Sequence, residues 1–514
     1  RLYVNSGDIS MNRLDDGFNY SEISGNNSIA QNNLSYYLDT MHLAHANHSN
    51  TYTEMKYCSI SKDGMYAVLG APMASTYYNE NHGFLKFFKN NNDGTWSNTQ
   101  TINGGSHDEL GKSASITHDG EFAACTANRT GFNDGHLKIY KRGSNGTWNV
   151  NKSYGGTLNN GFYRHLCIQK RDNGDIYVFY GGTGYSQTLD AYKSTDNGAT
   201  WTAGSTGIPG TWTVSGTSAY IGKYDIPIQV NDNCTRLITC QHHENHTPRY
   251  DIYDIGDNCA LTQIGKIVPS DLGTHVNGAD QTWGGFGEYC NISGDGSKIV
   301  VSAYASGVII NSYGQSGVVQ VFEYTGSGEE STDATNWSKY GPTIYGAGSG
   351  RFGRGIALNT DGTIVIGSDH GKKYAAMYKY RKIAENEWMT ESESRTRLSD
   401  QSNTNPILLN PGTSWDADTY YWYQYGTKMR TTTGSYTDHF GQGISWGNHY
   451  VIFAGNEDAS VGNEFVPIGA NNFIGETYSI WNVNFEPIIV DRHAQYEVAS
   501  NINTSGTFFA DVSL

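Results

Sequence analysis

One unit recurs along this chain and constrains its fold more than any other feature. Its clearest copy is "ISKDGMYAVLGA" from Ile60. An apolar residue comes first, two further residues and Asp-Gly follow, and a second apolar run comes next. Three more clear copies begin at Ile116, Ile292 and Leu358, and weaker copies begin at Ile168, Ile228 and Ile444. Asp-Gly between apolar runs signals a β-hairpin, because glycine tolerates positive φ and aspartate caps the turn. Repeated hairpins predict a repeat protein built of small β-sheets.

A second element follows most copies and completes the unit. Runs such as "HGFLKFFKN" from His82 and "DGHLKIYKRG" from Asp134 alternate apolar and polar residues, which is the period of a half-buried strand. Turns that end in tryptophan come next, at Trp96, Trp148, Trp201, Trp337 and Trp388. Each repeat predicts four antiparallel strands in roughly 50 residues, which is one propeller blade. We therefore expect an all-β fold, a seven-bladed β-propeller of four-stranded antiparallel blades over residues 51–490.

Two short signatures resemble known propeller repeats. "STDNGATW", Ser194 to Trp201, reads S-x-D-x-G-x-T-W and resembles the Asp-box of sialidases and related propellers. "FGEYCNIS" from Phe286, "FGRGIALN" from Phe352 and "VLGAP" from Val68 resemble FG-GAP-like repeats. Such repeats are typical of surface proteins of marine bacteria, algae and large algal viruses. The resemblance implies a propeller exposed on a cell or a virion.

The repeated turns are interpreted as structural, because so many similar turns cannot all be active sites. The residues assigned to these turns are Asp63, Gly64, Asp119, Gly120, Asp196, Gly198, Trp201, Asp295, Gly296, Asp361 and Gly362. Integrin-type FG-GAP repeats carry a D-x-D-x-D-G calcium loop, whereas the hairpin turns here hold one carboxylate each. Calcium prefers six to eight oxygen ligands, so we expect no metal in these turns and no cofactor.

Three segments lie outside the regular repeat. Residues 1–50 are polar and Asn-rich, and we expect an N-terminal arm or a strand that closes the propeller. Residues 491–514, with "GTFFADVSL" from Gly506, are a strand candidate for the same task. Either terminus is alternatively a strand that pairs with a neighbouring subunit. Residues 389–435 predict an insertion in blade six, and its first half, "TESESRTRLSDQSNTNP", looks solvated.

The second half of the insertion is rich in aromatic residues. "TSWDADTYYWYQYG" spans Thr413 to Gly426. One interpretation is a strand pair whose aromatic faces pack on a blade. The other is a surface for glycan stacking or protein contact, because Tyr and Trp offer large contact areas at low entropic cost. The candidate binding residues are Trp415, Tyr420, Tyr421, Trp422, Tyr423 and Tyr425.

Charge and hydropathy narrow the choice of partners. The formal net charge is −16, and an acidic surface repels nucleic acid and anionic membranes. No run of about 18 apolar residues occurs, so we expect no membrane insertion. We expect protein partners, copies of this chain among them, with glycans as the alternative. The chain begins at Arg1 and shows no signal peptide, so we expect a processed chain or part of a longer one.

Cysteine and histidine patterns favour no metal centre. The seven cysteines are Cys58, Cys125, Cys167, Cys234, Cys240, Cys259 and Cys290. An odd number spread this widely is not a disulfide framework. We expect buried free thiols at four of them, and Cys234, Cys240 and Cys259 are candidates for one local disulfide. His242, His243 and His246 form the densest ligand-like group, which we interpret as a solvated polar loop rather than a zinc or copper site.

The sequence favours a protein without catalytic activity. Sialidase-type hydrolysis needs an arginine cluster, a tyrosine activated by glutamate, and an acidic aspartate. The arginines considered for it are scattered: Arg164, Arg236, Arg249, Arg351, Arg354 and Arg492. We predict a non-enzymatic structural or assembly protein, extracellular or on a virion surface. A glycan-binding adhesin and a degenerate sialidase-like glycoside hydrolase are the alternatives.

Overall fold

The structure is a computed structural model. It describes residues 2–4, 36–46, 58–72, 82–91, 96–106, 108–128, 135–155, 165–181, 189–206, 212–214, 217–219, 227–243, 246–272, 286–304, 316–326, 331, 333–348, 350–369, 371–372, 374–400, 402–403, 405–429, 441, 443–447, 450–458, 474–482 and 508–510.

Antiparallel sheets of four or five strands dominate the described residues, and seven of them occur there in chain order. Sheet 1 contains Cys58–Ile60, Tyr66–Ala71, Phe84–Asn90 and Trp96–Asn103. Sheet 2 contains Ser113–Ile116, Phe122–Asn128, Gly135–Arg142 and Trp148–Gly155. Sheet 3 contains His165–Lys170, Ile176–Gly181, Leu189–Ser194 and Thr202–Gly204. Sheet 4 contains Ile228–Val230, Arg236–His243, His246–Ile255 and Leu261–Ile267.

The remaining sheets depart from four consecutive strands. Sheet 5 contains Phe286–Ile292, Lys298–Ala303, Val318–Tyr324 and Trp337–Lys339, and Ile344–Tyr345 pairs with its third strand. Sheet 6 has the order Phe352–Leu358, Ile364–Asp369, Tyr374–Lys382, Tyr420–Met429 and Leu408–Leu409. Sheet 7 has the order Gly443–Gly447, Tyr450–Asp458, Ile474–Asn482 and Tyr36–Ala46. One α-helix, Glu391–Ser399, and two 3₁₀ helices, Pro269–Leu272 and Glu385–Glu387, lie among the described residues.

The first strands of the sheets contact one another in chain order, and the first strand of sheet 7 contacts the first strand of sheet 1. Hydrophobic clusters fill the spaces between neighbouring sheets; one of them joins Val68 and Phe87 of sheet 1 to Ile116 and Tyr140 of sheet 2. This radial packing of antiparallel sheets is a β-propeller, so the predicted fold class is confirmed. The blade count for the whole chain stays the prediction of the sequence repeat.

Serine side chains join neighbouring sheets at their first strands. Ser59 Oγ accepts the N–H of Ile116 at 3.1 Å, and Ser115 Oγ accepts the N–H of Ile168 at 3.2 Å. Ser445 Oγ accepts the N–H of Ile60 at 3.1 Å, which links sheet 7 to sheet 1. The first strand of each sheet is an edge strand, so its N–H groups need partners outside the sheet. Small polar residues in the repeat supply these partners.

Replacing Ser115 with alanine is expected to lower the free energy of unfolding by about 1 to 2 kcal/mol, because the buried N–H of Ile168 loses its acceptor. Urea unfolding followed by circular dichroism measures the change. Ser153→Ala is the matched control, because Ser153 is an exposed strand serine whose loss should stay within about 0.5 kcal/mol. Equal effects of the two substitutions would contradict the linking role.

Several tryptophans that follow a repeat turn pack on the preceding sheet, whereas Trp388 packs on Tyr421 of sheet 6, in its own blade. The indole of Trp148 stacks on Phe87 of sheet 1 with ring centroids 4.5 Å apart. The indole of Trp96 meets Tyr450 of sheet 7 edge-on at 5.6 Å. These rings supply large apolar contacts between sheets that share no backbone hydrogen-bond ladder.

The two ends of the chain pair with distant segments. Tyr36–Ala46 is antiparallel to Ile474–Asn482 and completes sheet 7, so this N-terminal segment closes a sheet begun near the other end. Leu2–Val4 pairs with Phe508–Ala510 in a separate two-stranded sheet. Trp212–Val214 and Thr217–Ala219 form another small pair. Within the described residues, no helix is long and apolar enough to cross a membrane.

The cysteines and the histidine group differ in part from expectation. All seven cysteines are buried free thiols, so the local disulfide considered for Cys234, Cys240 and Cys259 is not formed. His242 and His243 end one strand of sheet 4 and His246 begins the next, so the expected polar loop is wrong. The two strands pair as far as His243 and His246. Among the described residues, no group of three or more potential ligands is placed to hold a metal ion.

Candidate functional site

The carboxylates of the Asp-Gly turns bind their own turns. Thr117 Oγ1 donates to Asp119 Oδ1 at 2.6 Å, and the N–H of Glu121 donates to the same oxygen at 3.0 Å. The N–H of Phe122 donates to Thr117 Oγ1 at 3.1 Å. The turns at Asp63, Asp295 and Asp361 repeat this pattern. These four carboxylates therefore have a structural role in the hairpins.

The following glycine completes each of these turns, as Gly120 illustrates. Its φ is +65°, and a Cβ at this position would lie 2.7 Å from Cδ2 of Tyr66 in the preceding sheet. Any other residue would meet both backbone strain and this ring.

The Asp-box turn is held in the same way. Asp196 accepts hydrogen bonds from the hydroxyl and the N–H of Thr200, at 2.6 and 2.8 Å, and from Ser194 Oγ at 2.8 Å. These donors lower the pKa of Asp196 to about 2. Trp201 Nε1 donates to Asn151 Oδ1 of the preceding sheet at 2.7 Å. The geometry is that of a turn held by its own hydrogen bonds and anchored to the neighbouring sheet by Trp201.

The insertion contains a helix where the sequence suggested a solvated segment. Thr390 Oγ1 accepts the N–H of Glu393 at 3.3 Å, and Glu393 Oε2 accepts the N–H of Thr390 at 2.8 Å. This capping box starts the helix Glu391–Ser399. Tyr374 OH of sheet 6 donates to the carbonyl of Leu398 at 3.0 Å and fixes the other end. The T-x-x-E spacing was a readable signal for the helix.

The aromatic run forms the fourth strand of sheet 6, and its neighbouring side chains differ in burial. Trp422 is fully buried and faces Tyr340 and Tyr380, with ring centroids 6.2 and 5.2 Å away. Tyr421 is also buried, against Trp388 at 5.5 Å. Tyr420 is 46% exposed. Most of the run therefore packs on the blade, and Tyr420 presents its ring to solvent.

The other predicted aromatic residues are half-buried. Trp415 Nε1 donates to the carbonyl of Ile383 at 3.3 Å. The guanidinium of Arg381 lies 4.5 Å from the ring centre of Tyr423, and burial raises the pKa of Tyr423 to about 12. Lys379 Nζ lies 5.5 Å from the ring centre of Tyr425. These rings support the insertion and give less surface to a ligand than Tyr420 does.

A groove of about 450 Å³ opens beside the exposed tyrosine, and we call it the aromatic groove. Its aromatic walls are Tyr380, Tyr420 and Tyr421. Its polar lining comes from Asn410, Thr413, Ser414, Asp416 and Thr419, and Pro342 and Gly412 complete it. The rings of Tyr380 and Tyr420 lie 5.5 Å apart at an angle of 43°. Sequence reasoning identified Tyr420 and Tyr421, whereas Tyr380 comes from the neighbouring strand.

The groove carries one carboxylate among its described lining residues. Asp416 Oδ1 accepts the N–H of Asp418 at 2.9 Å, and Oδ2 accepts the hydroxyl of Thr419 at 2.8 Å. These hydrogen bonds lower the pKa of Asp416, so its carboxylate is charged at neutral pH. Glycoside hydrolysis ordinarily uses a pair of carboxyl groups, one of them protonated. The described lining supplies one carboxyl group, that of Asp416.

A separate tyrosine–glutamate pair lies at sheet 5. Tyr304 OH donates to Glu288 Oε2 at 3.0 Å, and the guanidinium of Arg354 lies 5.5 Å from the ring centre of Tyr304. Burial raises the pKa of Tyr304, and the charge of Glu288 raises it further. The phenol therefore keeps its proton at neutral pH and donates it to the Glu288 carboxylate in a hydrogen bond.

The other arginines considered from the sequence have structural contacts or lie elsewhere. Arg236 binds Asp254 at 2.9 Å, and Arg249 binds the buried Asp251 at 3.1 Å, both within sheet 4. Arg164 and Arg492 lie outside the described residues. Arg236 and Arg249 therefore belong to sheet 4, whereas Arg354 belongs to sheet 6.

Asp369 gives the fold a pH dependence. Its side chain is completely buried, and burial raises its pKa to about 7, although the N–H of Lys372 donates to it at 3.0 Å. The folded protein therefore keeps this proton up to about pH 7, whereas an unfolded aspartate loses it near pH 4. The free energy of unfolding should fall as the pH rises through this window.

Urea unfolding between about pH 4.5 and 8 measures this slope. The variant Asp369→Asn removes one titrating group, so its slope should be shallower than that of the unaltered protein. Asp251, whose pKa burial raises to about 6, supplies the slope that remains. Equal slopes for the two proteins would contradict the role of Asp369.

Comparisons with known proteins support no argument beyond the fold. No protein-family model and no curated protein matches the chain. A periplasmic gluconolactonase from Pseudomonas aeruginosa is similar at 12% identity and a TM-score of 0.41, over 65% of this chain and 83% of that one. Hydrazine synthase from Kuenenia stuttgartiensis is similar at 10% identity and a TM-score of 0.43, over 80% and 96%. TolB from Acinetobacter baumannii is similar at 12% identity and a TM-score of 0.31, over 62% and 61%. Two of these three carry the names of enzymes, and at such similarity their activities do not transfer to this chain.

Proposed function

We propose that this protein is a non-enzymatic surface protein, extracellular or on a virion, that works by binding, and that the aromatic groove binds carbohydrate. The observation that carries the proposal is the exposed ring of Tyr420 beside Tyr380, in a groove whose lining also includes hydroxyl, amide and carboxylate groups. A sugar ring has an apolar face of C–H groups and an equatorial belt of hydroxyls. The tyrosine rings fit the first, and the polar lining fits the second.

The surroundings of the groove support a preformed site. Tyr380 lies on a paired strand of sheet 6 and rests against the buried Trp422. The loop that carries Asp416 is held by its own hydrogen bonds to Asp418 and Thr419. A rigid site loses less conformational entropy when it binds a ligand. This smaller entropy cost helps ligands that bind weakly, such as sugars.

A glycan array with the full chain, followed by calorimetric titration of the best ligand, tests the proposal. Tyr420→Ala should weaken binding by about tenfold or more, whereas Tyr420→Phe should keep most of it, because stacking needs only the ring. Val150→Ala is the control, since Val150 is exposed on sheet 2, away from the groove. Failure to bind any glycan, or binding that is indifferent to Tyr420→Ala, would overturn the proposal.

An assembly role through protein contacts, copies of the chain included, is the second proposal, and the paired chain ends favour it. A two-stranded sheet such as Leu2–Val4 with Phe508–Ala510 has two outer edges that accept further strands. The mass of the full chain and of a chain lacking residues 1–33 should be compared by light scattering. This deletion keeps Tyr36–Ala46, which sheet 7 needs. Oligomers that disappear on deletion support the role, and unchanged oligomers or a monomeric full chain contradict it.

A further inference from the structure

The charge around the aromatic groove bears on which carbohydrates it accepts. Of the described residues that line it, none is lysine, arginine or histidine, and Asp416 is an anion. An ion pair beside the groove joins Lys382 Nζ to Asp418 at 3.1 Å, and the same ammonium lies 5.8 Å from the ring centre of Tyr420. The cation beside the groove is thus matched by a second carboxylate.

From this arrangement we infer that the groove selects uncharged sugars and rejects sugars that carry sulfate or carboxylate groups. The inference rests on the proposed carbohydrate binding and adds the class of ligand. A sugar acid in the groove would bring a negative charge towards Asp416 with no lining cation to balance it. A neutral sugar would instead donate its hydroxyls to the carboxylate oxygens, as charge-assisted hydrogen bonds.

The hydrogen bonds of Asp416 support this role. Each carboxylate oxygen already accepts one hydrogen bond within the loop, from Asp418 and from Thr419. A carboxylate has about four acceptor sites, so capacity for hydroxyl donors remains. The same loop contacts lower the pKa of Asp416 and keep it charged over the neutral range. Asp416 is therefore a specificity residue held in place by its own turn.

The net charge of −16 also repels acidic glycans from a distance, so the test must separate the local effect from the general one. Asp416→Asn removes the charge in the groove. Its amide oxygen can still accept the N–H of Asp418, and its NH₂ group can donate to the hydroxyl of Thr419. Asp400→Asn is the matched control, because it changes the net charge equally at an exposed position that does not line the groove. Both variants are made in the full chain.

The probes are neutral oligosaccharides of glucose, galactose, mannose and N-acetylglucosamine, each compared with its sulfated or carboxylated form by calorimetry. In low salt the affinity for the neutral form should exceed the affinity for its acidic partner by about tenfold or more, and this ratio of affinities measures the selectivity. Asp416→Asn should narrow this ratio several-fold, and Asp400→Asn should leave it near the original value. Raising the salt to about 0.5 M should also reduce the ratio of affinities in the unaltered protein, because salt screens the repulsion.

The outcomes separate the two proposals. If no probe of either kind binds, carbohydrate binding itself is wrong. If probes bind through Tyr420 but the acidic and neutral forms bind with equal affinity, the charge selection is wrong. Carbohydrate binding in the aromatic groove would still be supported. An unchanged ratio in Asp416→Asn would likewise overturn the role given to Asp416.

Discussion

Replacing Trp422 with alanine is expected to lower the free energy of unfolding by about 3 to 5 kcal/mol, which is the range for deleting a buried aromatic side chain. Trp422 is fully buried and packs against Tyr340 and Tyr380. The cavity would open between sheets 5 and 6, under strands that cannot close it without losing their pairing. Urea unfolding followed by circular dichroism measures the loss.

Tyr420→Ala is the matched control for this prediction. The two residues lie on the same strand, two positions apart, yet Tyr420 is 46% exposed. Its removal should cost about 1 kcal/mol or less. The pair separates stability from binding, because Tyr420→Ala should reduce carbohydrate affinity while the fold survives. A Trp422→Ala protein as stable as Tyr420→Ala would contradict the packing described for sheet 6.

Replacing Trp148 with alanine should lower the free energy of unfolding by a similar amount, about 3 to 5 kcal/mol. Its indole stacks on Phe87 of the preceding sheet, with ring centroids 4.5 Å apart and planes 17° apart. The side chain of Gln100 also bonds to the N–H and the carbonyl of Trp148, at 2.7 and 2.8 Å. Trp148 thus joins sheets 1 and 2 through both its ring and its backbone.

Two controls isolate the contribution of the ring. Trp148→Phe keeps an aromatic face against Phe87, so it should lose less than half as much stability as Trp148→Ala. Val150→Ala lies on the same strand and is 58% exposed, so its effect should stay within about 0.5 kcal/mol. The prediction fails if Trp148→Ala unfolds at the same urea concentration as Val150→Ala.

Local rules account for the part of the fold that the sequence predicted. Asp-Gly turns, alternating strands and tryptophan-ended turns depend on contacts within a few residues, so they can be read from short segments such as Thr117–Phe122. The capping box at Thr390 was equally local, yet its polar surroundings hid it. Leu398 and Ser394 alone of that helix are buried.

The site depended on contacts that no short segment contains. Six aromatic residues in the insertion looked equivalent as candidate binding residues. The strand Tyr420–Met429 pairs with Tyr374–Lys382. In this arrangement Trp422 is buried against sheet 5, whereas Tyr420 lies at the surface. Tyr380, the other wall of the groove, lies 40 residues before Tyr420 and carried no signal of its own.

Repeated antiparallel hairpins and the structural role of their Asp-Gly turns could be predicted from the amino-acid sequence alone, because those features need only neighbouring residues. Which strand completes sheet 7 depended on the tertiary structure, because Tyr36–Ala46 pairs with Ile474–Asn482, more than 400 residues away in the sequence. The tertiary structure also settled which tyrosine faces solvent and where the carboxylate of Asp416 lies in the groove. Burial and charge at a site are sums over distant neighbours, and the fold alone brings those neighbours together.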